Sequence, residues 1–135
     1  MKAARLRANS TVKLDADLWK VFSKYIRSKD ADWKGQVACF TCGKIDDYRA
    51  MDAGHYIPKA ITNSYLKFYE KNVNPQCVSC NRWLNGNYEV YKQKLIEKYG
   101  VGIIQEFNSL RSKPPLTITE FKDKIKYYSQ WLKSH

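Results

Sequence analysis

Apolar residues recur at a spacing of four through residues 14–29, LDADLWKVFSKYIRSK: Leu14, Leu18, Phe22 and Ile26. Val21 and Tyr25 widen the stripe, so the segment predicts an amphipathic helix with one face in a core. Asp15 and Asp17 stand in its first turn, where negative charge suits the helix dipole. Residues 35–57, GQVACFTCGKIDDYRAMDAGHYI, change period: Val37, Phe40 and Ile45 favour short strands, while TCGK and DD are turn material. Residues 58–76 show no clean periodicity and read as a returning loop. A helix starts at Cys77 and breaks near Asn85-Gly86-Asn87. A second covers Tyr88 to Tyr99 and is stopped by Gly100. Residues 101–111 form another helix, Pro114-Pro115 interrupts, and residues 119–133 make a last amphipathic helix with Phe121, Ile125, Tyr128 and Leu132 on one face and Thr119 as N-cap. The pattern predicts an α+β chain in which a small strand-and-turn core is flanked by N- and C-terminal amphipathic helices.

The chain has 135 residues, enough for one domain. Within it the expected parts are the helix at 14–29, a core at 35–99 and a helical region at 101–135. No run approaches the ~18 apolar residues of a membrane span. The basic N-terminus, MKAARLRANS, has no apolar run behind it, so no secretory signal is expected and the cytoplasm is the expected compartment.

Charge narrows the partner. Lys and Arg number 24 against 13 Asp and Glu, a net +11, which favours a polyanion and nucleic acid before a membrane surface. The surplus sits in residues 1–34 and 81–135, each net +5, and leaves residues 35–80 at +1. A near-neutral centre between two cationic flanks suits a protein whose flanks hold phosphates. The basic residues expected against DNA are Lys20, Lys24, Arg27, Lys59, Arg82, Lys92, Lys122 and Lys126.

The four cysteines form two pairs, Cys39-x-x-Cys42 and Cys77-x-x-Cys80, 34 residues apart. Two residues between cysteines let both sulfurs converge on one ion, and two such turns supply the four thiolates of a tetrahedral zinc site. Disulfides and a single-iron site are the competing readings, the first disfavoured by the absence of any sign of secretion. With all four positions filled, such a zinc holds the fold and does no chemistry.

Between the pairs lies the internal histidine, His55, in Asp52-Ala53-Gly54-His55-Tyr56. Asn72 precedes Cys77 by five residues, and Asn81 directly follows Cys80. Singly, each has an ordinary structural reading: a satisfied histidine, a helix-capping asparagine. Together, a strand ending in His and a polar ligand on the following helix can place an imidazole and a metal-binding side chain around one phosphate. The imidazole would take a proton from water, and a divalent cation would stabilise charge on the phosphate. With an ordinary pKa, the imidazole would be freed of its proton through about pH 6 to 7.

The order Cys-x-x-Cys, Gly-His, Asn-Val-x-x-Gln-Cys-x-x-Cys-Asn, Gly-Asn resembles the HNH (ββα-metal) nucleases. More closely, it resembles the NinG (Rap) family of lambdoid phage recombination proteins. The similarity runs from Leu18 to about Leu110 through SKYIRSKDA, CFTCGK, DAGHYIPK, NVNPQCVSCN and GNYEVY. Asn directly after the fourth cysteine is also similar to phage endonuclease VII. The resemblance implies an HNH core stapled by zinc through Cys39, Cys42, Cys77 and Cys80. It implies a metal-dependent, structure-specific DNA endonuclease acting on branched recombination intermediates such as Holliday junctions and D-loops, in the host cytoplasm if phage-encoded.

By that similarity His55 is the general base, Asn72 the central Asn that orders the surrounding loop, and Asn81 a ligand of catalytic Mg²⁺ or Mn²⁺. Many such nucleases carry a further ligand just before the base, where this chain has Gly54. Asp52 and Asn85 are the candidates to replace it. Strand parity counts against Asp52 unless Gly54 forms a bulge, and Asn85 is expected one helical turn after Asn81. A homodimer is compatible with paired incision. The alternatives are a non-catalytic zinc module that grips DNA, and a protein-interaction zinc domain, which usually needs more ligands than four cysteines and one internal His.

Overall fold

The computed structural model describes residues 2–59 and 63–135. Helix α1 runs Lys2–Ser28 and carries the expected apolar stripe, but it begins twelve residues before the stripe does. Leu18, Phe22 and Ile26 are fully buried. The last helix, α5 (Ile118–Ser134), lies against α1, with Phe121 and Tyr128 in the shared core. Its N-cap is Thr117 and not the expected Thr119: the Thr117 side chain accepts from the Glu120 amide, and Glu120 reaches back to the Thr117 amide. Thr119 is therefore inside the helix, because the reciprocal pairing needs Glu at the third position after the cap. Glu70 ties the two helices together, accepting from Tyr25 Oη at 3.2 Å and Tyr128 Oη at 2.9 Å.

Between these helices and the rest lie two small antiparallel ladders. Strands β1 (Gln36–Ala38) and β2 (Ile45–Asp47) form a hairpin whose connection carries Cys39 and Cys42. Gly43 closes that turn with φ +81°, a conformation L side chains adopt only at a cost. Strand β3 (Asp52–His55) pairs with β4 (Val73–Gln76) in the register Asp52–Gln76 to His55–Val73.

The segment expected to be a loop, 58–76, is more structured than its pattern suggests. It holds the short helix α2 (Ser64–Lys67), a 3₁₀ turn at Glu70–Asn72 and all of β4. Every residue of β4 is buried, so it has no alternation to read, and its polar side chains reach tertiary partners through the amide nitrogens of Asn74 and Gln76. The helix expected at Cys77 is a single π-helical turn, Ser79–Trp83. Helices α3 (Tyr88–Tyr99) and α4 (Ile103–Leu110) follow as expected, Gly100 ending α3 at φ +93°. They enclose a second core of Tyr91, Leu95, Ile103 and Phe107 with Leu66. Among the described residues, no helix is long and apolar enough to cross a membrane.

Candidate metal centre and catalytic cleft

The two cysteine turns meet. The first sits at the β1–β2 connection, fixed to β4 by the Phe40 amide donating to Pro75 O at 2.8 Å. The second sits where β4 runs into the π-helical turn. The four Sγ atoms of Cys39, Cys42, Cys77 and Cys80 lie within 4.8 Å of one another, so these residues could hold a metal such as zinc. Burial raises the Cys39 thiol, but the amides of Cys42, Cys77 and Thr41 and the Thr41 hydroxyl outweigh it and bring the pKa down to about 6. The Cys42 thiol feels the Lys44 amide but is pushed up by burial and by its three sulfur neighbours. Four thiols this close cannot all ionise without a cation among them.

Beside this cluster, a cleft of about 530 Å³ opens between α1, β3 and the π-helical turn. His55, at the end of β3, borders it while remaining 93% buried. Its Nε2 lies 2.8 Å from the Lys67 carbonyl oxygen. A carbonyl can only accept, so Nε2 carries the proton and Nδ1 keeps a bare lone pair. The ring stacks on Trp19 of α1, with centroids 5.4 Å apart and planes 24° from parallel. Burial, with the charges of Lys59 and Lys67 adding to it, lowers the imidazole from its usual 6.5 to about 4, well below the range expected from sequence. His55 is therefore neutral at physiological pH.

Asn72 is fully buried and does not border the cleft. Its Oδ1 accepts from the Ile57 amide at 2.7 Å, and its Nδ2 donates to Ile57 O at 3.2 Å and Leu66 O at 3.0 Å. It pins the chain leaving His55 to the helix α2 that supplies the His55 hydrogen bond. Through these bonds Asn72 ties Ile57 to α2.

Asn81 and Asp52 both border the cleft, and Asn81 Nδ2 donates to Asp52 Oδ2 at 2.9 Å. Arg82 grips the same carboxylate through Nε at 2.9 Å and Nη2 at 2.8 Å. Burial raises the Asp52 carboxyl, but Arg82 and Asn81, with Arg27 nearby, hold it below the usual carboxylate range. The parity objection to Asp52 fails for a simple reason. The position to be replaced is Gly54, two residues away and on the same face of β3, and no bulge is needed: the ladder is regular through Gly54. Asn85 borders the cleft too, but from outside the π-helical turn, at φ +51°. The expected helical spacing from Asn81 does not exist, because the helix ends at Trp83.

The cleft has a cationic rim. Arg27, Arg49, Lys59 and Arg82 border it against the one carboxylate of Asp52. Arg27 is fixed by Ser23 and donates to Tyr48 O at 3.4 Å, and the Lys59 ammonium lies 4.2 Å from the Trp19 ring centre. Lys20, Lys24, Lys92, Lys122 and Lys126 are exposed and lie outside this cleft.

Three contributors carry little signal in the sequence. Trp19 is adjacent to the core stripe and reads as packing. Lys67 acts through its backbone, which no side-chain pattern reveals. Gln76 is the third. Its side chain lies over Gly54, where a Cβ would fall 1.9 Å from Gln76 Oε1. Residue 54 is glycine because that space is filled.

A family model described as Bacteriophage Lambda NinG protein matches residues 1–135. The chain belongs to the NinG family. It is 35% identical to protein ninG of Salmonella phage P22 over 109 residues, 81% of this chain and 51% of that protein. It is likewise 35% identical to protein ninG of Escherichia phage lambda, over 81% of this chain and 50% of that one. The protein ninG of Escherichia phage 933W is 33% identical over the same share of this chain and 51% of its own length. The chain thus spans about half the length of the curated relatives it matches. No solved structure matches it.

Proposed function

We propose that this NinG-family chain is a metal-dependent DNA endonuclease of the HNH type that cleaves branched recombination intermediates. The observation that carries the reading is His55: a buried neutral imidazole, locked in one tautomer by the Lys67 carbonyl, at the wall of a cationic cleft beside an Asp52–Asn81 pair. A core histidine needs neither a rim of cations nor neighbouring hard ligands.

In this reading the rim cations Arg27, Arg49 and Lys59 hold DNA phosphates. Nδ1 of His55 accepts a proton from water, Nε2–H stays on the Lys67 carbonyl, and Trp19 keeps the ring from turning. A carboxylate and side-chain amide oxygens form a hard-oxygen donor set that fits Mg²⁺ or Mn²⁺. Asp52 and the Oδ1 of Asn81 would hold that ion, whose chemistry when bound is to neutralise charge on the scissile phosphate. The cation would share the Asp52 carboxylate with Arg82, which pairs with it through Nε and Nη2. The four cysteines hold zinc and tie the β1–β2 hairpin to the π-helical turn that follows β4.

A cleavage assay tests the reading: four-way junction, flap and linear duplex, each with Mg²⁺ and with EDTA. Metal-dependent incision of the branched substrates is expected. Binding without incision under every condition would favour a non-catalytic zinc module.

A further inference from the structure

Gln76 is fully buried, yet its Oε1 has no hydrogen-bond partner among the described residues. Its Nε2 is well used, donating to Thr41 Oγ1 at 3.2 Å and to Gly86 O at 3.0 Å. Those two acceptors fix which way the amide faces, since neither the Gly86 carbonyl nor a swapped oxygen could donate. Oε1 is thereby aimed over Gly54. A buried carbonyl without a donor is costly, and an apolar side chain of the same size would fill that space without the cost.

Gln76 is the direct cross-strand partner of Asp52, so both side chains stand on one face of the β3–β4 ladder. Asn81 joins that face through its bond to Asp52. Gly86, which anchors the Gln76 amide, borders the same cleft. An orphaned amide oxygen, a carboxylate and a second amide therefore gather on one side of β3, opposite in parity to His55.

We propose that Gln76 Oε1 is a third oxygen donor to the divalent cation held by Asp52 and Asn81, filling the place that a side chain on residue 54 would otherwise take. The proposal rests on the nuclease reading above. It also links the two metal-binding parts. Thr41, which accepts from Gln76, lies 3.3 Å from Cys39 Sγ, so the cysteine cluster orients the cation's ligand.

The test measures Mn²⁺ affinity by electron paramagnetic resonance of the free ion. The full chain carries His55→Gln and is bound to an uncut junction oligonucleotide, with zinc content and circular dichroism recorded for each variant. Gln76→Leu should weaken Mn²⁺ binding about ten- to a hundredfold. Gln76→Glu should bind more tightly than the parent, because it keeps the oxygen and adds charge. The double variant Gly54→Asp with Gln76→Ala should regain affinity lost in Gln76→Ala, because truncation clears the atoms a Cβ would strike. Unchanged affinity in a zinc-loaded Gln76→Leu, or no response to Gln76→Glu should the leucine variant not fold, would overturn the proposal. Failure of the nuclease reading looks different: neither the parent nor Asp52→Ala would show Mn²⁺ binding at all.

Discussion

The cysteine cluster and the cleft are neighbours that share the π-helical turn after β4, and they differ in almost every physical respect. The cluster gathers four soft sulfur donors, three of them buried, whose Sγ atoms all lie within 4.8 Å of one another. The cleft gathers hard oxygen donors and a neutral imidazole behind a rim of cations, Arg49, Lys59 and Arg82 exposed and Arg27 half-buried. A tetrathiolate zinc is coordinatively closed, so it can contribute only folding energy. A cation on one carboxylate and amide oxygens keeps positions for water and phosphate. The same local chain, β4 running into the π-helical turn, serves both: Cys77 and Cys80 face the cluster while Asn81 faces the cleft. On the proposed reading, one part holds shape and the other does chemistry, and the two can be broken separately.

The largest effect belongs to the cluster. Cys39→Ser or Cys80→Ser should lose zinc and cooperative folding together, because structural zinc contributes about 10 kcal/mol or more at neutral pH. Elemental analysis and a melting curve read both. Loss of zinc with an unchanged melt would merge the two parts again.

The next largest belongs to the cleft. Asn81→Ala should cut cleavage strongly at low metal and recover in part as Mn²⁺ is raised, since a weakened site refills by mass action, whereas a His55 variant should not recover. Zinc content should stay at one per chain in both. A shared response to metal would mean that His55 and Asn81 act on the same step.

Acid sharpens the contrast. His55 titrates near 4 in the folded chain and near 6.5 when unfolded, so between those values the unfolded chain binds more protons. Stability from this group is full above about 6.5 and is lost as pH falls toward 4, an effect on the order of 3 kcal/mol. Chemical denaturation at pH 7 and pH 4.5 should show the loss in wild type and much less of it in His55→Gln. The same low value predicts that cleavage does not rise through pH 6 to 7 on account of His55.

The smallest expected effect concerns the flanks. Replacing Arg49 and Lys59 by Gln should reduce the salt slope of DNA binding by about one unit each. Replacing Lys92, Lys122 and Lys126, which lie outside the cleft, should change it less. Fluorescence titrations at several salt concentrations measure this. Equal slopes for both sets would move the DNA path away from the cleft.

How much of this was legible in the chain follows from which interactions are local. Cysteine spacing is a local rule, and the pairs converge as expected. The stripe of α1 and the Gly100 stop of α3 are local too. The β4 strand reads as loop because it is buried throughout and partly polar, so no period survives; Asn74 bonds Tyr91, and the Gln76 amide nitrogen bonds Thr41 and Gly86. For Asp52, parity counted from His55 points away from the site, while parity counted from Gly54 places it on the same face of β3. Gln76 and Trp19 were invisible because their importance lies in what they touch: a glycine on the facing strand and an imidazole brought by another element.

The most direct measurement compares wild type with His55→Gln on a four-way junction in Mg²⁺, with zinc content, melting temperature and junction affinity recorded alongside. Glutamine retains a donor for the Lys67 carbonyl and removes the basic nitrogen. The account predicts a loss of about 10² to 10⁴ in cleavage rate with zinc and affinity nearly unchanged. Cleavage by His55→Gln at the wild-type rate would contradict it.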